Sequence, residues 1–117
     1  MKPFGELFQP GCKIWLVCGG TNFGDGLYHL LYHVHQHGSI SKAAKVMGMS
    51  YRAAWGKIKN AEKNLGFKLV ETQVGGEAGG GACLTPQGSK LLQGFGEFRE
   101  KVERAVTGIF QETFAGE

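Results

Sequence analysis

With 117 residues and a 42% hydrophobic share, the chain can bury one packed core, and its longest apolar run, residues 14–18, is far too short to cross a bilayer. The formal net charge of +3 is modest, yet residues 39–70 hold seven cations (Lys42, Lys45, Arg52, Lys57, Lys59, Lys63 and Lys68) against the single anion Glu62, a local +6. Such a basic centre points to a surface that meets an anion, nucleic acid among the choices; the bland alternative is a solvated lysine-rich helix face.

The N-terminal stretch MKPFGELFQPG carries Pro3 and Pro10 and no continuous apolar segment, so no signal peptide is expected. Cys12, Cys18 and Cys83 form no C-x-x-C pair and are odd in number, which fits a reduced, cytoplasmic protein. GCKIWLVCGG is β-rich and ends at Gly19-Gly20, which predicts a short strand. GDGLYHLLYHVHQHG follows, with Leu27, Leu30, Leu31 and Val34 on one helical face and a stop at Gly38; this predicts a helix near 26–37.

SISKAAKVMGMSYRAAWGKIKNAEKNLG divides at Gly48. Before the division Ile40, Ala43, Ala44 and Met47 share a face, with Ser39 or Ser41 available as N-cap. After it Ser50 caps a second helix whose buried stripe is Ala54, Ile58, Ala61 and Leu65, closed by Gly66. The β-type runs FKLVE and ACLT then flank a glycine-rich connection and make a hairpin. Thr85 and Pro86 supply an N-cap and a first-turn proline for a final helix over about 87–113. Along it Leu91, Phe95, Phe98, Val102, Ala105 and Ile109 recur at spacings of 4, 3, 4, 3 and 4, a heptad seam that Leu92, Val106 and Phe110 widen. Packing within its own domain would use part of such a stripe; its length and breadth favour a homodimer interface.

The expected fold is therefore mainly α with a small β-hairpin: a winged helix-turn-helix with a long C-terminal dimerisation helix. One domain is expected over residues 1–117, made of an N-terminal segment (1–10), a winged-helix core (11–86) and the dimerisation helix (87–114).

The major groove of B-DNA admits one α-helix, and a preceding helix across a tight turn can hold it proud of the surface. Gly48 permits the positive φ that such a turn needs, and Ala44 lets the two helices approach. Ser50, Tyr51 and Arg52 open the presented helix, where residues that reach base edges lie. Arg52 suits a guanine edge or a phosphate, while Lys57, Lys59 and Lys63 suit phosphates. Ser41 and Lys42, at the start of the preceding helix, complete the helical part of the expected DNA contact. Trp55 is expected in the core, anchoring its helix to the sheet or wing. Gly56 lowers helix propensity and implies close approach either of a DNA backbone or of a packed neighbour. Gly75, Gly76, Gly79, Gly80 and Gly81 lack the G-x-x-x-x-G-K-[ST] spacing of a nucleotide cradle and instead form the tip of the wing, where bare N–H groups can lie against a sugar-phosphate backbone.

The residues also bear on three other classes. His29, His33 and His37 fall at i, i+4 and i+8 on one helix edge, and with Cys12 or Cys18 they could make a metal-sensing repressor; the plainer reading is exposed histidines, with no metal and no cofactor. An enzyme is not expected, because Asp25 is the only aspartate and neither a paired-carboxylate motif nor G-x-S-x-G occurs. A protein-interaction module without DNA binding remains the third reading.

GSISKAAKVMGMSYRAAWGKI followed by KLVETQVGGEAGGGACLTPQGSKLL resembles the N-terminal DNA-binding domain of the ModE-type molybdate-responsive transcription regulators, and more distantly the winged helix of LysR-type regulators. The likeness covers about residues 11–113 and rests on S-Y-x-x-A-W together with G-G-x-x-G-G-G-A-x-L-T. It implies a dimer bridged by the terminal helix that reads a palindromic operator in double-stranded DNA through Ser50, Tyr51 and Arg52, with the wing at 75–81. Regulators of this type carry molybdate-binding domains after this region; the expectation for a chain ending at Glu117 is a regulator of this type lacking them, with no membrane association.

Overall fold

The computed structural model describes residues 1–73 and 81–115. Nine elements follow in order: α1 (Phe4–Leu7), β1 (Leu16–Cys18), β2 (Thr21–Phe23), α2 (Asp25–His37), α3 (Ile40–Val46), α4 (Tyr51–Leu65), β3 (Val70–Gln73), β4 (Gly81–Leu84) and α5 (Pro86–Phe114). Side-chain caps fix three of the helix starts. Ser39 Oγ accepts from the Lys42 amide at 3.2 Å, Ser50 Oγ from Ala53 at 3.1 Å, and Thr85 Oγ1 from Gly88 at 2.9 Å. Pro86 stands in the first turn of α5, where its missing N–H leaves no bond unmade.

The core lies where α2, α3 and α4 meet. Leu27, Leu30, Leu31 and Val34 of α2 pack on Ile40, Ala43 and Ala44 of α3 and on Ala54, Ile58 and Ala61 of α4. This is the face that the apolar spacing predicts, except that Leu65 is only half-buried and Glu62 takes a place beside the stripe. Phe23 and Phe95 close the core in an edge-on pair with ring centroids 5.1 Å apart.

Both sheets are two-stranded antiparallel hairpins, β1-β2 and β3-β4. The first adds a strand to the one expected over residues 11–20: Gly19-Gly20 ends β1, as the sequence predicts, and also turns the chain into β2, with Leu16 paired to Phe23. In the second, Val70 pairs with Leu84 and Gln73 with Gly81. Residues 74–80, at the tip, lie outside the described residues.

Helix α5 has 29 residues, about 43 Å at 1.5 Å per residue, within overall extents of 63 × 27 × 21 Å. Its first half packs on the body through Phe95, and Arg99 ties it to α2. The Arg99 guanidinium donates to Asp25 at 2.8 Å and lies 4.6 Å from the centre of the Tyr28 ring. That hydrogen bond to Asp25 raises the pKa of Arg99 further above its ordinary value. The second half of α5 leaves the body. At its far end it meets α1, a single turn absent from the sequence expectation, through Phe4 and Phe114 at 6.3 Å.

Candidate nucleic-acid interface

Between α3 and α4 the chain reverses over four residues. Gly48 has φ +69°, a conformation that a side chain would strain, and the Gly48 and Met49 amides donate to Lys45 and Ala44 carbonyls at 3.1 and 3.0 Å. Ala43, Ala44 and Ala54 are buried, so the two helices approach across methyl groups. With Ala54, Ile58 and Ala61 turned inward, the opposite face of α4 has to point outward.

On that face stand Arg52, Gly56, Asn60 and Lys63, with Tyr51 and Lys57 on the flanks of the helix, all exposed. Arg52, Lys57 and Lys63 have no carboxylate within ion-pair distance among the described residues. Ser41, Lys42 and Ser50 are exposed as well, at the leading ends of α3 and α4. Gly56 meets nothing: a Cβ built there would have open space around it, so packing against a neighbour within the described residues does not account for the glycine.

Three expected residues stand elsewhere. Trp55 is 43% exposed rather than in the core, because the α4 stripe it would have to join is already filled by alanines and Ile58. Its ring lies 5.5 Å from the Lys59 ammonium. Lys59 is not free: its Nζ sits 3.2 Å from Glu62 Oε1. Phe95 is 1% exposed against Phe23 and Tyr28, so it belongs to the core and not to an outward seam. Leu91 and Val102 are half-buried, and Phe98, Ala105 and Ile109 are exposed. Of the wing glycines only Gly81 is described; Gly75, Gly76, Gly79 and Gly80 lie outside the described residues.

The histidines do not converge. His29 Nδ1 lies 2.7 Å from the Asp25 carbonyl oxygen, and His33 and His37 stack with ring centroids 5.6 Å apart. Among the described residues no third His, Cys, Asp or Glu joins them in a metal-binding group.

Glu62 was absent from the sequence expectation as a working residue. Its Oε2 accepts from the Leu69 amide at 2.7 Å and the Val70 amide at 3.2 Å, at the root of the wing. The signal was available in principle: it is the one anion in the basic block, three residues after Lys59.

The family model for bacterial regulatory helix-turn-helix proteins of the lysR family matches residues 27–89, from α2 through the wing into the first turn of α5. The chain belongs to the LysR family of bacterial regulatory helix-turn-helix proteins. Among curated proteins this LysR-family chain is similar to the molybdenum-pterin-binding protein MopB of Rhodobacter capsulatus, 38% identical over 77% of this chain and 33% of MopB. It is also similar to the DNA-binding transcriptional dual regulator ModE of Escherichia coli K12, 45% identical over 55% of this chain and 24% of ModE. Against these two relatives the chain therefore spans a third or less of their length. Among solved structures it resembles the BenM DBD in its complex with benA site 1 DNA, with a TM-score of 0.53 and 26% identity over 78% of this chain and 98% of that one. The winged helix-turn-helix with a long C-terminal helix is thus the fold of this chain.

Proposed function

We propose that the protein is a ModE-type transcription regulator that binds double-stranded DNA sequence-specifically through the outward face of α4, working as a cytoplasmic homodimer on a palindromic operator. The observation that carries this reading is Arg52, exposed in the first turn of α4 with no carboxylate partner among the described residues. A free guanidinium at the leading end of a presented helix can make paired hydrogen bonds to a guanine edge. Ser50 and Tyr51 share that edge, and Lys57 and Lys63 are placed as point charges for phosphates. Ser41 and Lys42 lie where the supporting helix would cross the backbone. Gly56 fits close approach of DNA, since no neighbour in the described chain accounts for it. The wing, with Gly75, Gly76, Gly79, Gly80 and Gly81, serves as the second contact.

Homodimerisation is supported by the apolar residues that α5 leaves uncovered, Phe98 at 43% exposure and Ile109 at 62%, with the half-buried Val102 and the exposed Ala105 between them; Leu91, at the near end of the seam, packs in part on the core. Cytoplasmic placement agrees with DNA binding and with the lack, among the described residues, of any helix long and apolar enough to cross a membrane.

Duplexes selected from a random pool, titrated by fluorescence anisotropy at several salt concentrations, test the reading. Affinity should fall steeply as salt rises, about 0.9 log units per log unit of salt for each phosphate contact. Selected duplexes should bind far more tightly than random ones, and sedimentation should give a dimer that covers a two-fold site. Protein partners captured without duplex affinity would instead support the interaction-module reading.

A further inference from the structure

The end of α4 and the root of the wing are joined around Leu69 and Val70. Leu69 is fully buried, its amide donates to Glu62, and its carbonyl accepts from the Thr85 amide at 2.9 Å. Thr85 in turn donates its hydroxyl to the Lys68 carbonyl at 2.6 Å and caps α5. Gly88, in the first turn of α5, lies against the Leu69 carbonyl, and a Cβ there would collide with the Leu69 backbone. The end of α4, the start of β3 and the start of α5 are therefore gathered at one point.

Glu62 supplies the bond from α4 to that point. A carboxylate that is 9% exposed is expensive to bury unless its lone pairs are met. Here they are met: Oε2 takes two backbone N–H groups, and Oε1 faces the Lys59 ammonium at 3.2 Å. Charge-assisted bonds to backbone amides are shorter and stronger than neutral ones. The sequence gap from Glu62 to Leu69 includes Gly66 in the left-handed conformation, so the covalent link alone leaves the β3 root several rotatable bonds from α4. The carboxylate closes that gap non-covalently.

We infer that Glu62 is a positioning residue for DNA reading: its buried carboxylate latches the root of the wing to the recognition helix, and Lys59 is the counter-ion of that latch instead of a phosphate contact. Helix and wing then meet DNA as one body. This assignment of Glu62 and Lys59 rests on the DNA-binding reading, but its geometric half stands alone.

Two variants separate a latch from a merely structural residue. Glu62→Ala removes the acceptor; Glu62→Gln keeps a carbonyl for the two amides while removing the charge. Leu31→Ala, a cavity in α2 that touches none of the latch hydrogen bonds, is the control for lost stability. By hydrogen exchange, Leu69 and Val70 amides in Glu62→Ala should open at least tenfold faster relative to α2 amides, and Glu62→Gln should restore most of that protection. Leu31→Ala should open both regions alike. On duplexes selected with the wild type, Glu62→Ala should lose about tenfold in affinity, with less than twofold lost on random duplex, a split that Leu31→Ala does not show. Uniform opening in Glu62→Ala, or equal loss on the two duplexes, overturns the latch.

The counter-ion claim has its own arm. Lys57→Met should lower the salt slope by about 0.9, the value of one phosphate contact, whereas Lys59→Met should change it by less than a third of that. An equal drop in both returns Lys59 to the phosphate-binding set and overturns that half. A wild-type protein that binds no duplex would sink the DNA-binding reading, while the exchange experiment would still decide the latch.

Discussion

The two ends of α4 carry similar charges and lead different lives. At the first turn Arg52 stands exposed beside Ser50 and Tyr51 with no carboxylate in reach among the described residues. Two turns later Lys59 is bound to Glu62, and Glu62 is bound to the wing. The open end is available to a ligand; the Lys59–Glu62 pair belongs to the fold, while Lys63 beyond it stays exposed. Local charge density therefore says little about which cations can bind DNA, because a partner three residues away and a strand root seven residues away decide it.

Removing the support common to both ends has the largest expected effect. Ile58→Ala leaves a cavity under the middle of α4 and should destabilise the protein by about 2–5 kcal/mol in urea unfolding, blurring the difference between the ends. Ser50→Ala acts on the open end alone. Loss of the cap should cost about 1 kcal/mol, with faster exchange confined to the first turn of α4 and none at Leu69 or Val70.

Gly56→Ala sharpens the contrast by separating stability from binding. The open space at this position lets the methyl group in, so stability should rise by roughly 0.5–1 kcal/mol. Affinity for a selected duplex should nevertheless fall, because the added Cβ lies on the face proposed to meet DNA. Smallest of all is Glu100→Ala on the surface of α5. It breaks an exposed 3.8 Å pair with Arg104 and should shift stability by less than about 0.5 kcal/mol, with binding unchanged.

Much of this was legible in the residues. Three helices announced themselves by apolar spacing and by caps at Ser39, Ser50 and Thr85, since those signals act within one or two turns. What escaped depended on contacts distant in sequence. The strand Thr21–Phe23 was hidden because Gly19-Gly20 ends a strand and turns a hairpin with equal ease. The single turn of α1 has too few residues to show a period and is held by the far end of α5. Phe95 fits the heptad seam by spacing, yet Phe23 and Tyr28 claim it for the core. Trp55 lies outside for the converse reason, the inner stripe being complete without it. At the interface the turn and the outward cations could be read directly, whereas the role of Glu62 could not, because its two amide partners come from another element.

One measurement bears most directly on the outward face of α4 as the reader of DNA: the affinity of Arg52→Ala for a selected and for a random duplex at the same salt. The account predicts a loss of about 1–3 kcal/mol on the selected duplex, roughly 5- to 150-fold, with a much smaller loss on the random one. Unchanged affinity for both duplexes would contradict it.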